Sequence, residues 1–242
     1  KFIAEVASTH KGSLKRLKHI LNRLLVTDTD YIKLQIYNNS KLNHISSRFY
    51  KNLKKIEIPY KKWSFIINNY YKKKKLILEP FDDESYKFCK KYKKKVLIKI
   101  SSSEIDNLNL IKDAIKNFKK VFINISGCNN NYIARFTKQL KKYQNKVILL
   151  YGFQSFPSKI KDVRFNLIQN LCKKKFITGY SDHSNSDQIF ESYVASALAI
   201  NKGSQYIEKH VTLNRGSMPP DFSSSFEIKD YQNYINYFKK IF

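Results

Sequence analysis

The sequence predicts an α/β protein with the architecture of a TIM (β/α)8 barrel. Short apolar runs alternate with helical segments eight times along the 242 residues, whereas doubly wound sheets usually stop at about five to seven strands. Polar side chains also gather at or just past the C-terminal ends of these runs, on the rim where barrel active sites are built. With only 6 glycines and 5 prolines no linker stands out, so we predict one barrel domain over residues 1–242.

The predicted strands are short runs rich in Ile, Leu, Val and aromatic residues, which favour extended backbone. They cover residues 2–5, 31–36, 76–79, 96–100, 121–125, 147–151, 176–183 and 206–213. The predicted helices carry apolar residues at helical spacing and cover residues 14–25, 63–71, 83–92, 107–117, 132–143, 166–171, 187–200 and 227–241. Ser13 is a good N-cap for the first helix. Residues 37–62 show little pattern, and a loop is predicted there.

The second strand alternates polar and apolar residues. Lys33 and Gln35 point to one side, and Ile32 and Leu34 point to the other. In a barrel, one of these faces lines the interior near the mouth. An edge strand with a solvent face would show the same alternation.

The middle strands run into residues that end extended structure. Pro80 stops the third strand, and Gly127 follows the fifth. The fourth strand contains Lys99, and a lysine inside a short apolar strand is costly unless it meets an anion. That anion is either a ligand phosphate or a neighbouring carboxylate.

The last two strands each end in a histidine beside a carboxylate. His183 and His210 are joined by one helix, and parallel strands present their C-terminal ends on the same side of a sheet. The two imidazoles are therefore predicted to share one ion. Alternatively, each histidine only ends its strand with a satisfied hydrogen bond. The neighbouring Asp182 and Glu208 favour the shared ion.

The predicted rim carries an unusual number of polar residues. They are Glu5, Lys33, Gln35, Glu79, Lys99, Ser102, Glu104, Ser126, Gln154, Asp182, His183, Glu208 and His210. Lysines and serines next to two histidines indicate a metal-assisted pocket for a small phosphorylated anion. The carboxylates of Glu5, Glu104 and Glu208 could move protons there.

The net charge of +27 would ordinarily indicate a nucleic-acid or anionic-membrane partner. The excess is nearly all Lys and is spread through the chain, and AT-rich coding favours Lys, so we expect no specific nucleic-acid partner. No run of 18 apolar residues is present, which predicts no membrane span. Three isolated cysteines suit a reducing cytoplasm, where we expect the protein to act. The start at Lys1, without Met, indicates a segment of a longer protein.

Motifs along nearly the whole chain resemble those of the sialic acid synthases, which make N-acetylneuraminate, legionaminate and pseudaminate. Gly-Tyr-Ser-Asp-His at 179–183 and Ile-Glu-Lys-His-Val-Thr-Leu at 207–213 are the most specific. The other matching segments are 2–5 with His10 and 12–13, 30–35, 80–82, 99–104, 156–157 with 166–167, and Asp221.

The resemblance implies condensation of phosphoenolpyruvate with an N-acylated hexosamine, either N-acetylmannosamine or a diacetamido-dideoxy hexose. The products would be a nine-carbon 2-keto sugar acid and phosphate. It implies that His183 and His210 hold a divalent metal, Mn2+ foremost and Mg2+ or Co2+ otherwise. The implied phosphoenolpyruvate ligands are Lys33, Lys99, Ser102, Ser181 and, as a weaker candidate, Ser126; Gln35 and Asp221 would hold sugar hydroxyls. Glu5, Glu104 and Glu208 are the implied proton carriers, in no fixed order.

Three departures from the family pattern affect the site. Glu79 stands where the family has a phosphate-binding Thr, and a carboxylate repels phosphate unless it is protonated or turned away. Thr9 replaces an Asn, and Phe156 replaces a Tyr. Family members also carry a C-terminal antifreeze-like domain and form homodimers. We expect that domain to be absent from this chain, which is then either a trimmed segment or a short variant of the enzyme.

Other functions remain open from the residues alone. The barrel is alternatively a catalytically degenerate binding or scaffold module, inactivated at Glu79. A polyanion-binding protein would use the Lys-rich surface and show strong salt dependence. A Schiff-base aldolase suits the fold but would not need His183 and His210.

Overall fold

A closed parallel barrel forms the centre of the molecule. The computed structural model describes residues 1–216 and 220–242. Its strands are β1 (Phe2–Glu5), β2 (Tyr31–Ile36), β3 (Lys75–Pro80), β4 (Leu97–Ile100), β5 (Val121–Asn124), β6 (Val147–Tyr151), β7 (Ile177–Asp182), β8 (Tyr206–Thr212) and β9 (Ser225–Glu227). Strands β1 to β8 pair in chain order, and β1 also pairs with β8, which closes the barrel. The predicted TIM barrel is therefore confirmed.

Helices surround the barrel on its outer side. They are α1 (Leu14–Leu25), α2 (Asn39–Leu42), α3 (Tyr50–Ile56), α4 (Tyr60–Tyr70), α5 (Asp83–Lys90), α6 (Leu108–Asn117), α7 (Asn130–Leu140), α8 (Phe165–Lys173), α9 (Ile189–Asn201) and α10 (Ile228–Ile241). The Ser13 side chain caps α1 by accepting from the Arg16 N–H, as the sequence predicts. Within the described residues, no helix is long and apolar enough to cross a membrane.

The main differences from the predicted elements lie in residues 37–62 and near the C-terminus. Helices α2 and α3 occupy part of the predicted loop, and α4 begins at Tyr60 rather than at Trp63. Strand β9 was not predicted; it pairs with the end of β8, where His210 lies beside Ser225.

The barrel interior is apolar towards the N-terminal ends of the strands and charged towards their C-terminal ends. Side chains at alternate strand positions face the interior, and the lower ones form an apolar cluster. Its members are Ile3, Tyr31, Ile77, Phe122, Ile148, Leu150 and Tyr206. Glu5, Lys33 and Glu79 each lie two residues after a member of this cluster on the same strand, and all three are buried. The apolar layer closes the floor, so the chemistry of the interior is confined to the C-terminal ends of the strands.

Candidate active site

Five ionisable side chains from five strands meet at the C-terminal end of the barrel interior. Lys33 Nζ forms an ion pair with Glu5, lies 2.8 Å from Glu79 Oε2 and lies 3.4 Å from Glu208 Oε1. Lys99 Nζ lies 2.7 Å from Glu208 Oε1 and 3.4 Å from Glu79 Oε1. All five side chains are at most 4% exposed. We call these residues the lysine–carboxylate cluster.

The carboxylates of the cluster have pKa values shifted in opposite directions. Burial raises the pKa of Glu5 to about 8, although Lys33 opposes this shift. Burial alone would also raise the pKa of Glu208 and of Glu79, but Lys33 and Lys99 outweigh it and hold both values below their usual range. Burial would lower the pKa of Lys33, yet Glu208, Glu5 and Glu79 raise it well above normal. Glu79 and Glu208 are therefore ionised at neutral pH.

Neutral side chains complete the cluster. Gln35 Nε2 donates to Glu5 Oε1 at 2.9 Å, and Ser181 Oγ donates to Glu208 Oε1 at 3.1 Å. The end of β6 packs directly on Ser181, because Gly152 lies where an added Cβ would be 2.2 Å from the Ser181 carbonyl oxygen. Because its side chain donates to the buried Glu5, Gln35 faces the barrel interior. This excludes the solvent-facing edge strand considered for β2.

The two histidines lie next to each other at the edge of the cluster. The ring centroids of His183 and His210 are 5.4 Å apart, and His210 Nε2 lies 3.7 Å from Glu5 Oε2. Burial lowers the pKa of His183 to about 4 and that of His210 well below its usual value. Both imidazoles are therefore neutral at pH 7. Phe156 covers them, with its ring centroid 4.4 Å from that of His183 and 5.9 Å from that of His210.

The histidine pair fits a divalent metal with two protein ligands. His183 Nδ1 lies 3.0 Å from the Phe153 carbonyl oxygen, so Nδ1 carries the proton and the lone pair of Nε2 is free. His210 Nδ1 is buried and has no hydrogen-bond partner among the residues that the structure describes. In residues 1–216 and 220–242, no group of three or more His, Cys, Asp or Glu side chains is arranged to hold a metal. The remaining coordination positions would fall to water or substrate.

The carboxylate that precedes His183 does not belong to this site. Asp182 faces the outer side of the barrel, where its Oδ2 lies 3.1 Å from Lys209 Nζ. Successive residues of a strand point to opposite faces, so His183 and Asp182 cannot share one pocket. The sequence-based expectation that Asp182 lies beside the histidines is therefore wrong. The same expectation for Glu208 is confirmed, because Glu208 lies in the interior cluster next to them.

The other predicted site residues lie outside the lysine–carboxylate cluster. Ser102 and Ser126 line a neighbouring cleft of about 490 Å³, and Ser126 Oγ accepts from the Gly152 N–H at 3.0 Å. Glu104 is half-buried and accepts from Asn107 Nδ2 at 3.3 Å. Asp221 accepts from the Ser8 backbone N–H at 3.3 Å and from the Ser8 hydroxyl. The roles of these residues stay predictions.

Two features were missed in the sequence, one in the site and one on the opposite face of its strands. The sequence pattern gives no signal for the contact of Phe156 with both histidines, because a loop residue's direction is set by tertiary packing. The pairing of Asp182 with Lys209 does have a signal, since each is the strand neighbour of a histidine and must point away from it.

The family profile and similar proteins found by sequence agree on one family. The profile of the NeuB family matches residues 23–242. The chain is 27% identical to N,N'-diacetyllegionaminic acid synthase of Campylobacter jejuni, covering 93% of this chain and 71% of that protein. It is 24% identical to pseudaminic acid synthase of Helicobacter pylori, covering 99% and 74%.

A solved structure agrees with these relatives. The N-acetylneuraminic acid (sialic acid) synthetase of Leptospira borgpetersenii, solved in complex with citrate, superimposes with a TM-score of 0.86 at 26% identity. The match covers 99% of this chain and 82% of that one. The family profile spans most of the chain, and the resemblance seen in the sequence motifs is thereby confirmed. The chain belongs to the NeuB family, whose relatives include synthases of sialic acid and related sugar acids.

Proposed function

We propose that this protein condenses phosphoenolpyruvate with an N-acylated hexosamine to a nine-carbon 2-keto sugar acid and phosphate. The acceptor would be N-acetylmannosamine or a diacetamido-dideoxy hexose. One observation carries the proposal: two neutral imidazoles, His183 and His210, lie beside two buried lysines, Lys33 and Lys99, at the mouth of the barrel. The pairing of cations with neutral metal-capable ligands suits an anionic substrate that reacts with a carbonyl compound.

The lysines would bind the anionic substrate. Lys33 and Lys99 supply positive charge to the phosphate and carboxylate of phosphoenolpyruvate, and Ser181 adds a hydroxyl donor from the same layer. Ser102 and Ser126 would contribute from the adjoining cleft. Gln35 and Asp221 would orient sugar hydroxyls, Gln35 from inside the barrel and Asp221 from the segment after β8.

Carbon–carbon bond formation requires an electrophilic aldehyde. His183 and His210 would hold Mn2+, or Mg2+ or Co2+, which when bound polarises the carbonyl of the open-chain sugar. C3 of phosphoenolpyruvate then attacks that carbon, and water adds at C2. Loss of phosphate by C–O cleavage leaves the 2-keto acid.

The carboxylates would move the protons of these steps. Glu5 and Glu208 lie within the lysine–carboxylate cluster, and Glu5 is also the carboxylate that faces His210. Both can orient the attacking water; at neutral pH the ionised Glu208 can accept a proton, and Glu5, whose pKa is raised, can donate one. Glu104 lies outside the cluster and would need to move inward to take part.

A binding or scaffold module is the second candidate. One observation favours it: the ionised carboxylates of Glu79 and Glu208 already neutralise both lysines, so the pocket carries no excess of positive charge for phosphate. The paired neutral histidines favour the synthase, because a scaffold has no use for them.

Phosphate release distinguishes the two candidates. Phosphoenolpyruvate and Mn2+ are incubated with N-acetylmannosamine or with each diacetamido-dideoxy hexose, using wild type and His210→Ala. Sugar-dependent release that is lost in His210→Ala supports the synthase and identifies the acceptor. Absence of release with every sugar, from folded protein, rejects it in favour of the scaffold.

A further inference from the structure

The carboxylate of Glu79 bridges the two lysines of the site. Glu79 Oε2 lies 2.8 Å from Lys33 Nζ, and Glu79 Oε1 lies 3.4 Å from Lys99 Nζ. One oxygen therefore faces each ammonium group. A planar anion that spans two cations in this way occupies the position that an anionic substrate group would need.

Glu79 differs from the other two carboxylates of the cluster in its partners within the described part of the chain. Glu5 also accepts from Gln35 and lies near His210, and Glu208 also accepts from Ser181. Among the described residues, the Glu79 carboxylate has hydrogen-bond or ion-pair contacts with the two lysines alone. Within that part of the chain, its contacts are thus confined to Lys33 and Lys99.

Charge counting shows what this arrangement does to an incoming phosphate. Lys33 and Lys99 contribute two positive charges, while Glu5, Glu79 and Glu208 supply three carboxyl groups. A phosphate must either displace a carboxylate from the lysines or lie beside it, and like charges at contact distance in a buried site repel strongly. Movement of Glu79 would also break fewer contacts than movement of Glu5 or Glu208, because those two have further partners.

We propose that Glu79 is a specificity-determining residue that acts as an internal competitor for the phosphate-binding lysines. It weakens the binding of phosphorylated ligands by occupying Lys33 and Lys99 in the free protein. This inference rests on the proposed function in one respect, since it takes the phosphate of phosphoenolpyruvate as the anion concerned. Removal of this one carboxylate converts a neutralised cluster into an anion site.

Calorimetric titration of inorganic phosphate tests the inference without sugar or metal. The variants are Glu79→Gln, which keeps the side-chain size and removes the charge, and Glu84→Gln. Glu84 is a matched control, because its side chain is 44% exposed on the first turn of α5 and its replacement changes the net charge equally. We expect phosphate to bind at least about tenfold more tightly to Glu79→Gln than to wild type, with no change in Glu84→Gln.

Unchanged or weaker phosphate binding by folded Glu79→Gln would overturn the inference. Glu79→Ser, which leaves a small neutral side chain, serves as the second variant if Glu79→Gln does not fold, and the same tightening is expected. The result is separable from the synthase assay. Tighter phosphate binding without sugar-dependent phosphate release would sustain the role of Glu79 and reject the synthase. Sugar-dependent phosphate release by wild type, without tighter phosphate binding in either variant, would support the synthase and reject the role of Glu79.

Discussion

Asp182 Oδ2 lies 3.1 Å from Lys209 Nζ, and both side chains are completely buried on the outer face of the barrel sheet. The two residues are register partners on β7 and β8, one position away from His183 and His210. Lys209 Nζ also donates to the Ser184 carbonyl oxygen at 3.1 Å. The pair therefore ties together the two strand ends that present the histidines.

Replacement of one partner of this pair is expected to destabilise the fold. Lys209→Met leaves the Asp182 carboxylate buried without its counter-charge, and such a change typically costs about 3–5 kcal/mol. Urea denaturation measures the loss. Lys239→Met is the control, because the Lys239–Asp28 pair is about half exposed and should change stability by about 1 kcal/mol at most. Equal losses in the two variants would contradict the assignment.

The double replacement Asp182→Leu with Lys209→Met provides a second measurement. Removing both charges avoids the uncompensated carboxylate, so the double variant should be more stable than Lys209→Met alone. A double variant that is less stable than the single one would show that packing around the ammonium group, rather than charge, governs this position.

The proposed binding of a metal by the histidines predicts a ligand-dependent rise in thermal stability. Mn2+ that binds the folded chain raises stability by about 3 kcal/mol at a hundredfold excess over Kd, and Tm rises accordingly. His183→Ala and His210→Ala should lose that rise. His19→Ala should retain it, because His19 lies exposed on α1. A rise that persists in both site variants would place the metal elsewhere.

His10 is predicted to make stability depend on pH. Burial, with help from Arg16, lowers the pKa of His10 to about 4, and its Nδ1 accepts from the Gly12 N–H at 3.0 Å. Between pH 6.5 and 4 the unfolded chain therefore binds a proton that the folded chain does not. The free energy of unfolding consequently falls as the pH falls through this window, by about 3 kcal/mol for this residue.

The variant His10→Asn isolates the contribution of His10. Asparagine keeps an acceptor for Gly12 but does not titrate, so the variant should lose less stability than wild type between pH 7 and pH 4. Denaturant titrations at both pH values give the difference directly. Parallel losses in the two proteins would refute the predicted titration of His10.

Lys99 is expected to be essential for turnover. Lys99→Met removes one of the two cations and leaves Glu208 with a weaker counter-charge, so sugar-dependent phosphate release should fall at least about a hundredfold. Lys94→Met, at an exposed position before β4, is the control and should leave the rate unchanged. A rate in Lys99→Met within threefold, or about 0.7 kcal/mol, of wild type would exclude Lys99 from substrate binding.

The barrel could be predicted from the sequence because each strand is a compact apolar run and each long helix has one apolar face. Helix α3 could not, since it has only seven residues, none of which is buried, and its apolar residues Tyr50, Leu53 and Ile56 are too few to set a helical period. Strand β9 has three residues, and its pairing with β8 is a tertiary contact. Local pattern thus identifies the elements that build the core and misses those that lie on it.

The site was predictable in part for a related reason. Strand alternation and parallel connectivity suffice to bring His183 and His210 together. The anion that meets Lys99 was open between a ligand phosphate and a carboxylate, and the structure supplies Glu208 and Glu79. The Lys99–Glu208 contact crosses the barrel interior between β4 and β8, so no spacing along the chain encodes it. The Lys99–Glu79 contact joins the paired strands β3 and β4, and it depends on their register, which the sequence pattern does not give.

The pairing of β1 with β8 also governs how the protein emerges during translation. Glu5 is synthesised before its register partner His210, which follows about 200 residues later along the chain. At typical bacterial and eukaryotic elongation rates this delay is on the order of 10 to 40 seconds. Throughout that interval the nascent chain has an open sheet edge at β1, which is a hazard for aggregation. Premature termination before β8 would therefore yield an unclosed polypeptide rather than a weaker enzyme.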